Sequence, residues 1–486
     1  MHAAALKQPA PDLRTAVATL MDVALASLAS AEGMPTFTDQ LDTNGWNRFG
    51  QREFGAKKRD TWAMPPAVST LGWLDRVPAM QPVREAFAAD PVLGKRVDKV
   101  VGVEFSLKAR QLEWLLIKEL LEPMVVRLRA YRFEPTAFAE AYSRLESGLR
   151  AAHVRVVEFL PLNALQVTTD VKQLCLDGDV VLEPMTDSQV SWAISRGAVP
   201  AEFGGGPLFV SVDPEHQWAL TLTRPYPVMS TADLPENPAA PDFPSLLEPG
   251  QRLVTALRIV CGGSAVVTRT ILQQHDDDFP IIGSGSAVLS AVEAVDYSRP
   301  TLLTGDHLED LAAVYGWLGT PTVTDDVMLQ RALRRLVFAG AHRYAEDRLA
   351  DLMTCGEIIF IKRLGHDRTP TKGDWVANGA ADLLRDDTVV AVDTERVRSF
   401  IRNAYGVRNH RVHGDDPAAG PFVALDGSPT PSLERMTDDV EIVIRRCLHL
   451  ILSGRTPRPM MSRATLPVGQ PTAGRIAGRR GRRRRG

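Results

Sequence analysis

From Met328 to about Ser453 the apolar residues recur at intervals of three and four with almost no break, whereas upstream they fall into short runs bounded by turn residues. A three-to-four spacing places apolar side chains on one face of a helix, and a short run between turn residues fits a strand. One chain therefore carries two kinds of architecture. The expectation is a multidomain protein, an α+β N-terminal region followed by an all-α helical bundle.

The helical part reads as four segments. MLQRALRRLVFAGA is the first, and HRYAEDRLADLMTCGEIIFIKRL continues as one long bent helix or two. DTERVRSFIRNAYGVRNHRVH places Val397, Phe400, Ile401 and Ala404 on one face behind an acidic first turn. SLERMTDDVEIVIRRCLHLILSG has Ser432 as N-cap and Gly454 as stop. Upstream, SLKARQLEWLLIKELLEPMVVRLRAY and PTAFAEAYSRLESGLRAA read as helices. VRVVEFLPL, LQVTTDV, DVVLEPM, PLFVSV and QWALTLTRPYPVM read as strands. Seven prolines between Pro225 and Pro249 make a stiff loop or linker, and RLVTALRIVCGGSAVVTRTIL reads as a return to strand.

The resulting division is 1–95, an N-terminal region of unclear role with one amphipathic stretch; 96–325, an α+β domain; 326–456, the helical domain; and 457–486, a disordered tail. The last twelve residues hold seven arginines and no acid, so the net charge of −3 becomes −3 − 7 = −10 without them. An acidic body excludes a protein that binds nucleic acid by bulk charge, and any such site must be a local patch. No apolar run approaches the ~18 residues of a membrane span. The first residues lack a basic start followed by an apolar core, so a cytoplasmic location is expected. Cys175, Cys261, Cys355 and Cys447 are far apart and read as buried free thiols.

The densest cluster of chemistry-bearing residues is RNAYGVRNHRVHGDD, Arg402 to Asp416. Within it four residues separate Arg408 from His413, with polar Asn409 after the arginine and Gly414 after the histidine. A histidine in a last turn followed by glycine is also an ordinary helix stop. The set RNHRVHG in the third helix of a late bundle, with Tyr405 ahead of it, resembles the HEPN domain of ribonucleases and defence toxins, and in particular the Apea-like HEPN group. The likeness covers residues 328–455, about a quarter of the chain. AEDRLADLMTCGEIIF, with Glu357 ahead of an apolar run, is similar to the helix carrying that family's acidic residue. PLNALQ and LCLDGDVVLEPMTDSQ are similar to the mixed region that often precedes this type.

The resemblance implies a metal-independent endoribonuclease without cofactor, leaving a 2′,3′-cyclic phosphate and a 5′-hydroxyl, in antiviral defence or toxin-like growth arrest. Arg408, Asn409 and His413 would be catalytic. Histidine titrates near neutrality and can move the protons of a ribose 2′-hydroxyl and a leaving oxygen. Arginine stays charged and can grip two phosphate oxygens. Glu357 would pair with Arg408 to direct it, and His410 and Arg411 would flank the site and contact RNA. One histidine per chain leaves a second proton-transfer role open, so a homodimer through the bundle is expected. Met328–His413 holds fifteen Lys/Arg and eleven Asp/Glu, a surplus that favours RNA. The N-terminal part would bind an unknown trigger. The alternative is a non-catalytic module that binds RNA or dimerises.

Spacing alone is poor evidence. Arg269 with His275 and Arg335 with His342 have similar separations. Arg269 sits in a strand-like run, and Arg335, followed by Leu336 and Val337, belongs to a mostly apolar helix. HDDDFP, His275–Pro280, reads as a solvated loop rather than a metal site, and GGGPLF at Gly204 and GSGSAV at Gly283 read as turns.

Overall fold

A computed structural model describes residues 11–46, 52–69, 72–93, 111–151, 153–195, 198–199, 202–203, 209–227, 246–267, 269–274, 286–288, 298–365, 372–412, 422–430 and 432–456. Its N-terminal half mixes helices with antiparallel sheet, and its C-terminal region is mainly helical. His275–Pro280, Gly204, Gly283 and the tail 457–486 lie outside the described residues.

Helix α1 (Pro11–Glu32) leads into the hairpin strands β1 (Thr36–Trp46) and β2 (Arg52–Ala63). Helix α2 (Met80–Ala89) follows, then α3, which runs from Gln111 through a π turn at Ile117–Leu121 to Leu128, and α4 (Pro135–Arg150). Glu134 caps α4 by accepting from the Thr136 and Ala137 amides, with Pro135 in the first helical position. These elements share one apolar core running from Leu13 to Leu149. The expected boundary at 95/96 therefore does not mark a break in packing: the helices after it complete the core begun by α1. Leu13–Glu32 is apolar and long enough to cross a membrane by length and composition alone. That departs from the sequence expectation, and here Leu13, Val17, Leu20, Met21, Leu25 and Leu28 of this helix are buried in the core.

The main sheet has the order β12-β11-β3-β9-β6-β5, all antiparallel. Its strands are β3 (His153–Asn163), β5 (Leu174–Asp177), β6 (Val180–Pro184), β9 (Trp218–Pro227), β11 (Arg269–Gln274) and β12 (Ser286–Val288). Short β4 (Leu165–Val167) pairs in parallel with β13 (Thr301–Leu303), and β10 (Val266–Val267) pairs with β3. The N-terminal hairpin joins β8 (Phe209–Val212), which pairs with β7 (Glu202–Phe203). The strand period of two divides β3 between faces: Leu160 and Leu162 enter the large core, and Phe159 packs with Met185, Val190 and Ala193 around α5 (Asp187–Ser195).

The large core is continuous from Leu160 to Leu452. Helix α6 (Leu247–Val260) covers one face of the sheet and joins it to the bundle. RLVTALRIV, expected as strand, is thus helix: Leu253, Leu257 and their neighbours recur at helical spacing and are buried. Pro249 lies in its first turn, where a missing N–H is tolerated. Gly250 has no Cβ because one would stand 2.2 Å from Leu160 Cδ2. A second bridge is α7 (Leu308–Leu318), so the 325/326 boundary also has continuous packing across it. Of the cysteines, Cys355 and Cys447 are buried as expected, whereas Cys261 is half-buried and Cys175, on edge strand β5, is exposed.

The bundle contains α8 (Val327–Ala341), α9 (Ala345–Glu357, continued by a π turn at Ile358–Lys362), α10 (Lys372–Leu383), α11 (Thr394–Val412) and α12 (Leu433–Leu452). The π turn carries four consecutive apolar residues, Ile358 to Ile361, and all are buried, as expected where a helix is enclosed on every side. Ser432 caps α12 by accepting from the Arg435 amide, and Gly454 has φ +96°. Helix α10 is an addition to the four segments read from the sequence.

Candidate functional site

Helix α11 sets the site by register. Val397, Phe400, Ile401, Ala404 and Tyr405 are buried at steps of three and four, and Arg408 continues that row one turn later. The guanidinium is thereby drawn along the buried face, with its side chain 21% exposed. Opposite it stands Glu357, the last residue of α9 before the π turn, itself buried.

The Glu357 carboxylate organises the surroundings. Tyr405 Oη donates to its Oε1 at 2.7 Å, Arg408 Nη1 lies 3.8 Å from the same oxygen, and Lys372 Nζ lies 3.8 Å from Oε2. Burial and the bond to the carboxylate push the Tyr405 hydroxyl well above its ordinary pKa, so it remains a donor. Arg408 Nη1 also donates to Asn409 Oδ1 at 3.0 Å, and its Cζ stands 5.8 Å from the Tyr405 ring centroid. Arg408 Nε is buried with no hydrogen-bond partner among the described residues. Helix α10 comes close because Gly373 lacks a Cβ, which would meet Tyr405 Cδ1 at 2.9 Å. Arg402 Nε bonds Asp374 Oδ1 at 2.6 Å and fixes α10 against α11.

The structure therefore brings together Glu357, Arg408 and Asn409 from the expected set. His410 is exposed on α11, the Arg411 side chain and all of His413 lie outside the described residues, and so does Gly414. Two participants were missed. In the sequence Tyr405 is an aromatic ahead of the motif, and its place three residues before Arg408 puts it on the same helix face. Lys372 belongs to α10, a helix the sequence reading left unassigned.

The second arginine–histidine pair also converges. Arg335 Nη1 bonds Asp351 Oδ1 at 2.8 Å and His342 Nε2 lies 2.9 Å from Asp351 Oδ2, both side chains about half exposed. Arg335 does belong to a mostly apolar helix, on the solvent side of α8, and Asp351 on α9 reaches both partners. Arg269 begins β11, and its partner His275 is outside the described residues. Among the described residues no three His, Cys, Asp or Glu side chains gather as a metal site.

Comparison of the chain with protein-family models, with curated proteins and with solved structures gives no match.

Proposed function

We propose that the C-terminal bundle is a HEPN-type endoribonuclease acting on RNA in the cytosol without a metal, in antiviral defence or toxin-like growth arrest. The observation that supports it is the restraint on Arg408: a permanently charged guanidinium, aligned by the buried Glu357–Tyr405 pair, five positions before His413. Arg408 would contact the scissile phosphate and stabilise charge on its oxygens. His413 would take the proton from the 2′-hydroxyl or give one to the leaving 5′-oxygen, and Asn409 would hold a phosphate oxygen or orient Arg408. The attack forms the O2′–P bond and breaks P–O5′, giving a 2′,3′-cyclic phosphate and a 5′-hydroxyl. A second copy of the chain would supply the other proton-transfer group, and the N-terminal regions would restrain the enzyme until a trigger binds.

One observation favours a second reading. Arg408 Nη1 is already engaged by Asn409 and near Glu357, which suits an arginine that only ties two helices in a non-catalytic module for RNA binding or dimerisation. Incubating the full chain and its Arg408→Ala and His413→Ala variants with total RNA plus EDTA separates the two. Chelator-resistant cleavage that disappears in both variants supports the enzyme. Cleavage abolished by EDTA, or undiminished by His413→Ala, refutes it, and absence of cleavage with RNA still bound supports the module.

A further inference from the structure

Helix α8 presents an unusual outer face. Val327, Arg331, Arg334, Arg335 and Phe338 recur at three- and four-residue steps on its solvent side, and His342 caps its end. Val327 is 59% exposed, Phe338 45% and, in the link to α9, Tyr344 61%. Arg343 in the same link is exposed as well. From Arg331 to His342 the row is about 16 Å long at 1.5 Å per residue.

Charge on this face is largely uncompensated. Asp351 engages Arg335 and His342, while Arg331, Arg334 and Arg343 have no ion-pair partner among the described residues. Glu346 and Asp347 are exposed in the first turn of α9 and pair with none of these arginines. Arg335 Cζ stands over the Phe338 ring, 6.0 Å from its centroid, and the ring is still 45% exposed. Single exposed apolar side chains are ordinary, but here Val327, Phe338 and Tyr344 are exposed along one face together with the arginines. Interleaved arginines and open rings match a ligand that is polyanionic along its length and carries flat apolar groups, and single-stranded nucleic acid is that ligand. A second copy of the chain is the poorer occupant, because a symmetric contact through this face would set arginine against arginine.

We infer that the outer face of α8 and its link to α9 is a docking track for single-stranded RNA. Phosphates run along Arg331, Arg334 and Arg343, and bases stack on Phe338 and Tyr344. The inference deepens the ribonuclease reading by giving the strand a holding surface outside the candidate site. Arg363 Nε bonds Asp326 Oδ2 at 2.8 Å, which ties the start of α8 to the end of the π turn that follows Glu357. The Arg331 end of the track therefore lies toward the same end of the bundle as the site.

The test uses the full chain and a twelve-nucleotide 2′-O-methyl oligoribonucleotide carrying 4-thiouridine, which has no 2′-hydroxyl to react. Fluorescence anisotropy should show Kd rising about tenfold or more in Arg331→Glu/Arg334→Glu, with the slope of log K against log salt falling by about 1.4 for two lost phosphates. Phe338→Ala should weaken binding about fivefold or more, and photocross-links should map to the Phe338–Tyr344 peptide. Polyglutamate and inorganic polyphosphate should not respond to Phe338→Ala. Unchanged Kd in both variants with cross-links elsewhere overturns the track. Polyglutamate binding that equals the oligonucleotide and falls with Phe338→Ala assigns the face to an acidic protein instead and overturns it too. Because the probe cannot be cleaved, loss of the track leaves the Arg408 test unaffected, and failure of the Arg408 test leaves this one interpretable.

Discussion

Replacing Glu158 with glutamine should change how stability depends on pH, through an opposition between two buried groups. Glu158 projects from β3 into the large core, almost without exposure, where its Oε1 accepts from the Leu246 amide at 2.6 Å ahead of helix α6 and its Oε2 has no hydrogen-bond partner among the described residues. Burial raises its pKa from 4.5 to about 7 against the opposing pull of the amide and Arg224. His216, between β8 and β9, is buried with its Nδ1 3.5 Å from the Ala164 amide, and burial lowers it from 6.5 to about 4. Between pH 4.5 and 6.5 the native chain keeps a proton on Glu158 that the unfolded chain has released, so this carboxyl makes stability fall as pH rises. The native chain lacks a proton on His216 that the unfolded chain holds, so this imidazole makes stability rise. Each contributes a slope of about 1.4 kcal/mol per pH unit, and the two cancel. Glu158→Gln keeps an acceptor for the Leu246 amide but removes the titration. The variant should gain about 3 kcal/mol between pH 4.5 and 6.5, and its advantage over the parent should grow by about 3 kcal/mol between pH 5 and 8. Urea unfolding of both proteins at pH 5, 6.5 and 8, followed by tryptophan fluorescence, measures this. A parent–variant difference that is the same at pH 5 and pH 8 would refute the buried, protonated Glu158.

Two further substitutions test packing around the same sheet and around the candidate site. Gly250→Ala places a Cβ against the fully buried Leu160; overpacking of about 1–3 kcal/mol, partly offset by about 1 kcal/mol of helix preference, should lower the thermal midpoint. Tyr405→Phe removes the donor from the buried Glu357 carboxylate and should cost about 1–3 kcal/mol in urea unfolding, with RNA cleavage reduced but not abolished.

Most strands of the antiparallel main sheet and the later helices were legible because their patterns are local properties. Strand β3 is a short apolar run ended by turn residues, and α11 repeats at three and four, whatever they pack against. The failures came where tertiary contacts decide. RLVTALRIV is as apolar as a buried strand, and only its seating on Leu160, through a glycine, makes it α6. Hairpin β1–β2 carries glycines and charged residues that give no strand signal, and it is completed by β8, about 150 residues away in the chain. The boundary at 95/96 was drawn at a change of composition, but the core from Leu13 to Leu149 is assembled from segments on both sides of it.

The same distinction governs the three arginine–histidine pairs. Sequence separation says little about whether two side chains meet, since Arg335 and His342 meet only because Asp351 on the next helix reaches both. For Arg408 the informative signal was helical register: the row Val397, Phe400/Ile401, Ala404/Tyr405 carries the arginine onto the buried side, where Glu357 and Tyr405 wait. Register also separates Arg408 from Arg331 and Arg334, to which the proposed reading gives different roles. Arg408 ends a buried row and is held at one place, which on the proposed reading suits a group acting on one phosphate. Arg331 and Arg334 lie on an exposed row with open rings beside them, free to follow a strand. A single RNA would meet both only by passing the end of the bundle where α8 begins, so a mutation on α8 should weaken substrate binding at low RNA concentration and leave the rate at saturation unchanged. Arg408→Ala should do the reverse, and equal effects of the two on the saturated rate would contradict this separation of roles.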